Sequence, residues 1–373
     1  MSSSVKNFSV GYNPINKSNT FSPGDFLTGQ ITVELTNECK IQSLCVKLKG
    51  KAEVSWTENY GKTVITYHSK DKFFSIKHFI IQESQGEHKN HVMQLICCFL
   101  GNNVIPQGCH VYPFSFQIPA QDLPSSFKGS WGKILYRVEA NLSRSMRTDS
   151  KAKAEFTLIQ KGNTDPVLMT PQHNMIDKKM KLFTSGSVAM DVSIPKTGFC
   201  QGEGIKVVAS IQNKSSRDIK PKYCLYRKYS YFAKGKRRVE TKDILKEEGE
   251  EIPSSAGQTV TKIIVIPSAE TVSVLNCSII KAEYRLRVYL DVKYASDPEI
   301  KFPIIILPAS EGFYEEQPSD YLTSGFEAFL NAGMLGGMSF QQNPAAPEAS
   351  APPLSYGTYG LYPSLTGLDR KPI

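Results

Sequence analysis

The chain has 373 residues, 40% of them hydrophobic, and a formal net charge of +9 at pH 7. That is enough apolar material for two cores of roughly 150 residues each, and too much for a disordered chain. The longest apolar stretches, 92–100 and 302–309, fall far short of the roughly 20 residues a spanning helix needs.

In chain order, residues 1–8 lack the apolar stretch of a secretory signal, and Ser2 excludes N-myristoylation. The C-terminal Arg370-Lys-Pro-Ile373 is no prenylation signal. The expectation is a soluble, cytoplasmic chain. Turn residues Asn13-Pro14 and Ser22-Pro23-Gly24 bracket the first segments, and Leu27, Ile31, Val33 and Leu35 then alternate with polar residues. Val46, Leu48, Ala52 and Val54 alternate with Lys47, Lys49, Lys51 and Glu53. Period two marks a strand with one buried and one wet face, as in antiparallel sheets packed face to face. His88 and His91 sit in what reads as a wet turn and lack the further ligands of a metal site. Tyr136, Val138, Ala140 and Leu142 continue the alternation, and Lys161-Gly162-Asn163 closes the first half.

The second half repeats the first. Phe21-Ser-Pro-Gly24-Asp25 with Ile31-Thr32-Val33 returns as Phe199-Cys-Gln-Gly202-Glu203 with Ala209-Ser210-Ile211, a constant offset of 178 (199 − 21). Ile118-Pro119 and Tyr136-Arg137 return as Ile266-Pro267 and Tyr284-Arg285, a constant offset of 148 (266 − 118). Two motifs in the same order twice indicate two copies of one domain, since solenoid repeats recur every 20–50 residues. The fold class is therefore all-β: two tandem immunoglobulin-like β-sandwiches, with a disordered C-terminal tail. The expected limits are 1–165 and 187–309 for the sandwiches, 166–186 for a linker and 310–373 for a proline-rich tail.

Eight cysteines show no C-x-x-C and no paired Cys/His spacing, and read as thiols in a reducing compartment. No nucleophile elbow, Walker loop or zinc-protease motif is present, so no catalytic residue, metal or cofactor is expected. Residues 220–242 are strongly basic, and Lys234-Gly235-Lys236-Arg237-Arg238 reads as a hairpin tip. Two readings of Lys234, Lys236, Arg237 and Arg238 stand side by side. One is an ordinary solvated turn, the other an electrostatic contact for anionic lipid headgroups or acidic cargo tails. Nucleic acid is not expected, because no stacking platform or recognition helix accompanies the charge.

With these residues in view, the chain resembles the arrestin family, and its α-arrestin subgroup in particular. The resemblance rests on Phe21-Ser-Pro-Gly24-Asp25, on Val46-Lys-Leu48-Lys-Gly50-Lys-Ala52-Glu-Val54-Ser-Trp56, and on Tyr112-Pro-Phe114-Ser-Phe116-Gln-Ile118-Pro119. In the second half it rests on Tyr231-Phe-Ala-Lys-Gly235-Lys236 and Asn276-Cys277-Ser278-Ile279-Ile280. It implies an arrestin N-lobe and C-lobe, no enzymatic activity, and an adaptor role in membrane-protein trafficking. Such adaptors link transmembrane receptor or transporter tails to WW-domain HECT ubiquitin ligases and to endocytic or endosomal sorting machinery. They work in the cytoplasm, recruited to the inner face of the plasma membrane and endosomes by peripheral contact.

The tail departs from the family pattern. Typical α-arrestins carry P-P-x-Y, which docks as polyproline II in WW-domain grooves. This chain has Pro352-Pro353-Leu354-Ser355-Tyr356, one residue too many. With three residues per polyproline turn and about 3.1 Å of rise, the extra residue swings Tyr356 by about 120°. Weak or absent ligase binding is expected, and the alternative function is a sorting scaffold that recruits no WW-domain ligase. Tyr362-Pro363-Ser364-Leu365 fits the Y-x-x-Φ pattern read by clathrin adaptors, with Tyr362 and Leu365 as the anchors.

Overall fold

The period-two segments form strands in the computed structural model, which describes residues 4–82, 103–160, 165–179, 186–292 and 296–309. The N-lobe comprises β1 (Val5–Tyr12), β2 (Thr20–Phe21), β3 (Phe26–Leu35), β4 (Cys39–Lys40), β5 (Ser43–Tyr60) and β6 (Thr63–Gln82). It continues with β7 (Val104–Ile105), β8 (Gly108–Gln117), β9 (Phe127–Lys128), β10 (Gly132–Arg144) and β11 (Arg147–Leu158). The C-lobe comprises β12 (Gln172–Lys179), β13 (Gly186–Ile194), β14 (Gly198–Cys200), β15 (Gly204–Ser215) and β16 (Lys220–Ala233). It ends with β17 (Lys236–Glu248), β18 (Gly257–Val265), β19 (Ile280–Asp291) and β20 (Glu299–Leu307). Among the described residues the only helical element is a 3₁₀ turn, Pro166–Met169, capped by Asp165.

Each lobe stacks two sheets. In the N-lobe these run β1-β3-β8 and β2-β11-β10-β5-β6; in the C-lobe, β12-β13-β15-β18 and β14-β20-β19-β16-β17. Apart from β12 the order matches, and in both lobes a short strand pairs parallel with the last one: Phe21 with Leu158, Phe199 with Ile306. Residues 172–179, within the segment expected as a linker, form an edge strand that pairs with β13 from Gln172↔Ile194 to Lys179↔Ser187. In the strand order this one has no N-lobe counterpart, so the internal repeat gave no signal for it.

The duplicated motif is a duplicated turn. Gly24 and Gly202 have φ of 90° and 83°, a conformation that side chains with a Cβ rarely adopt. Gly24 N donates to Ile118 O at 3.0 Å, and Ile118 N donates to Asp25 O at 2.9 Å. The second copy repeats both bonds, Gly202 N to Ile266 O at 3.1 Å and Ile266 N to Glu203 O at 3.0 Å. The acid closes the turn each time: Asp25 Oδ2 accepts from Ser22 N, and Glu203 Oε2 from Cys200 N, both at 2.8 Å. The carboxylates at these positions are turn formers. Two buried tyrosines repeat as well, Tyr136 Oη donating to Pro124 O and Tyr284 Oη to Thr271 O, both at 2.6 Å. Burial raises the pKa of both phenols.

Alternation also decides what faces water. On β5, Leu48, Ala52 and Val54 are buried while Lys47, Lys49, Lys51 and Glu53 point outward. Strand pairing lines these up with other charges. Lys47 stands beside Glu139 and Lys77, Lys49 beside Arg137 and Ser75, and Lys51 beside Lys72. The N-lobe core does not stop at the lobe boundary. Tyr229, Tyr231, Val274, Cys277 and Ile280 of the C-lobe belong to the same apolar cluster.

Candidate functional site at the junction of the lobes

The basic turn lies where the two lobes meet. Ala233 pairs with Lys236, leaving a two-residue loop whose residues Lys234 and Gly235 have φ of 48° and 72°. This is the left-handed turn that suits the twist of a hairpin. Lys234 Nζ reaches across to the N-lobe and donates to Thr66 O on β6 at 3.0 Å. The Arg238 guanidinium lies 4.1 Å over the Trp131 ring, a cation–π contact across the junction. Arg237 donates to Ser230 Oγ at 2.9 Å and its side chain stays exposed, as does that of Lys236. The sequence thus located a real hairpin tip, in which Lys234 and Arg238 fasten the lobes together while Lys236 and Arg237 face outward.

Around this turn the junction is aromatic and polar. Tyr231 meets Trp131 edge-on at 5.7 Å, and Phe127 meets Tyr229 edge-on at 5.0 Å. Gly129 lets the strands approach: a Cβ there would lie 2.1 Å from Tyr231 Oη. Farther along, Ser278 Oγ donates to Asp71 Oδ2 at 2.6 Å and Asn276 Nδ2 to Asp122 Oδ1 at 2.8 Å. Behind Tyr229, Arg227 Nη1 lies 3.0 Å from Glu270 Oε1 and its guanidinium 4.7 Å over the Tyr229 ring. Burial opposes the Arg227 charge, but the Glu270 hydrogen bond and charge outweigh it and raise the pKa.

The tip of the β5–β6 hairpin adds an exposed apolar group, Tyr60, Val64 and Ile65. Thr66, the acceptor of the Lys234 bond, follows directly. Two hairpins, one from each lobe, therefore share an edge that presents exposed cations and exposed apolar side chains. Such a surface can hold an extended acidic segment with apolar anchors. Among the described residues no group of acids, histidines and cysteines could hold a metal ion.

Reasoning from sequence did not identify Thr66, Trp131, Tyr229, Tyr231 or Glu270 as junction residues. The legible signal was Gly129-Ser130-Trp131-Gly132, an aromatic bracketed by glycines. The proposed docking residues Pro352, Pro353 and Tyr356, the sorting residues Tyr362 and Leu365, and His88 and His91 lie outside the described residues.

Comparison with known proteins agrees with this architecture. Residues 8–165 match the family model described as arrestin (or S-antigen), N-terminal domain, and residues 184–310 match its C-terminal domain. The fold and junction thus define a two-lobed arrestin. The chain is 28% identical over 296 residues to arrestin domain-containing protein 4 of Mus musculus, covering 77% of this chain and 68% of that protein. The Homo sapiens protein of that name gives the same identity and coverage. Thioredoxin-interacting protein of Rattus norvegicus is 26% identical over 312 residues, covering 81% and 74%. The chain belongs to the arrestin family, in its α-arrestin subgroup.

Proposed function

We propose that this chain is a non-enzymatic adaptor that captures acidic cytoplasmic segments of transmembrane receptors or transporters at the junction edge. It hands them to ubiquitination and endocytic or endosomal sorting machinery through its C-terminal segment. The observation that carries the reading is the convergence of the β16–β17 and β5–β6 tips. Lys236 and Arg237 stand exposed on the first tip, which Lys234 ties to Thr66 and whose Lys236 lies near Glu58, while Tyr60, Val64 and Ile65 are exposed on the second. Membership of a family of adaptors supports the general role. The site of action follows from the role: the inner face of the plasma membrane and endosomes.

A second reading has its own observation. The spacing of Pro352-Pro353-Leu354-Ser355-Tyr356 puts one residue too many between the prolines and the tyrosine. This favours a sorting scaffold that binds cargo without a WW-domain ligase, with Tyr362 and Leu365 as a contact for clathrin adaptors. Proximity labelling in cells separates the two, comparing the full chain with one lacking residues 310–373. HECT ligases that vanish with the tail support ligase coupling. Coat or sorting components alone support the scaffold. A labelled set with no membrane-protein cargo in either case contradicts both.

A further inference from the structure

We propose that the outer face of the N-lobe sheet, built by β11, β10, β5 and β6, docks onto bilayers rich in anionic phospholipid. The face is distinct from the junction edge, and the argument is independent of the cargo reading. Six lysines carry it. Lys47, Lys72, Lys77, Lys133, Lys151 and Lys153 form no close ion pair among the described residues, though Lys151 and Lys153 lie near Asp149 and Glu139, and all but half-buried Lys47 are exposed.

Strand pairing gathers them into one field. Lys153 and Lys47 flank Glu139 on neighbouring strands, Lys77 pairs with Lys47, and Lys151 follows two residues before Lys153. Four strands about 4.8 Å apart make a face about 15 Å across. Neighbouring lysines thus lie within one or two screening lengths of about 8 Å, and their fields add. The acids on this face, Glu139, Glu53, Glu155 and Asp149, are outnumbered by its cations, and the first two are held in ion pairs. Glu139 is held by Lys49 and Arg137, and Glu53 by Lys51 and Lys70. The equivalent C-lobe face is largely neutralised. Lys222 sits 2.8 Å from Asp291 and 3.1 Å from Glu248, Lys246 pairs with Asp243, and Arg287 and Lys301 share Glu299.

The side-chain chemistry selects the occupant. Apart from Arg147 at the end of β11, the cations outside ion pairs on this face are lysines, flexible point charges that suit a laterally mobile layer of headgroups. Stoichiometric phosphopeptide recognition relies on bidentate arginine, and Arg137, in the middle of the face, is held by Glu139 at 2.6 Å. Single-stranded nucleic acid requires open aromatic platforms, but the Phe79 ring at this edge lies beneath the Lys77 ammonium at 3.7 Å.

The test is sedimentation of the full chain with vesicles of phosphatidylcholine alone or with about one-third phosphatidylserine. The variant is Lys72→Gln, Lys77→Gln, Lys151→Gln and Lys153→Gln combined, with folding checked by circular dichroism. These exposed side chains make no close ion pair among the described residues. Each lysine contributes about fivefold (~1 kcal/mol) near an anionic surface, so partitioning should fall several-hundredfold. Binding of the parent should require phosphatidylserine and weaken with salt. Lys236→Gln with Arg237→Gln, which alters the junction edge instead, should leave the vesicle signal within about tenfold. The proposal is overturned if the four-lysine variant binds vesicles like the parent. It is equally overturned if that variant loses binding to an acidic phosphopeptide or to DNA while its vesicle binding persists.

Discussion

Replacing Glu270 with alanine should destabilise the C-lobe and loosen the junction. Glu270 is the carboxylate partner of Arg227 at 3.0 Å, and their side chains are 11% and 22% exposed. Glu270 Oε1 also lies 3.1 Å from the Tyr284 hydroxyl. Removing one partner of a buried ion pair costs about 3–5 kcal/mol, because the other charge is left uncompensated. Arg227 retains some water and its contact with Tyr229, so about 3 kcal/mol is expected. At roughly 2–4 °C per kcal/mol for a unit of this size, Tm should fall by about 6–12 °C. Glu270→Gln keeps an acceptor for Arg227 and should lose about half as much. The double variant Arg227→Leu with Glu270→Leu removes both charges and should recover most of the loss. Tyr229 packs on Phe127 of the other lobe, so Trp131 fluorescence should shift at lower denaturant in the alanine variant. Trp56→Phe isolates that signal, since the chain has only two tryptophans. A drop in Tm below about 2 °C for Glu270→Ala would refute the reasoning, as would a double variant worse than either single one.

Three further outcomes follow from the same geometry. In a double-mutant cycle between Trp131→Ala and Arg238→Ala, read by urea unfolding, the coupling should be about 0.5–2 kcal/mol, as for a partly desolvated cation–π pair; additivity would contradict the contact. Burial opposes the Glu139 charge, but the Lys49 hydrogen bond and the charges of Arg137 and Lys49 outweigh it and hold the carboxyl below the ordinary glutamate range. Because the folded pKa is depressed, the stability it contributes is present above about pH 4.5 and lost as pH falls through the folded pKa; Glu139→Gln should flatten this acid limb in pH-dependent unfolding. A peptide of residues 345–362 should bind isolated WW domains far more weakly than the same peptide lacking Ser355, and equal affinities by calorimetry would refute the spacing argument.

How much was legible depended on whether a signal was local or paired. The duplicated turn was local: glycine at positive φ, an acid to cap the turn and an Ile-Pro returning at fixed distance, all readable at Gly24-Asp25 and Gly202-Glu203. The strands were equally legible, because alternation along Lys47–Val54 or Tyr284–Val292 needs no partner to be seen. Strand β12 was not, since its polar sequence around Met175 and Asp177 lacks a buried face; pairing with β13 alone makes it a strand. The basic turn at Lys234–Arg238 was visible as charge. That Lys234 and Arg238 point across to Thr66 and Trp131 depends on residues about 100 or more positions away, which no local pattern encodes. The lysine face was hidden for the same reason, since Lys47, Lys77 and Lys153 become neighbours only through register.

The adaptor account is tested most directly by photo-crosslinking from the junction edge in living cells. A photoreactive amino acid replaces Lys236, and in a control chain replaces exposed Thr259 on β18 of the opposite C-lobe sheet. The account predicts that the Lys236 probe captures receptors or transporters through their cytoplasmic segments, several-fold above the Thr259 probe. Equal capture from the two positions, or no transmembrane protein captured from Lys236, would contradict it.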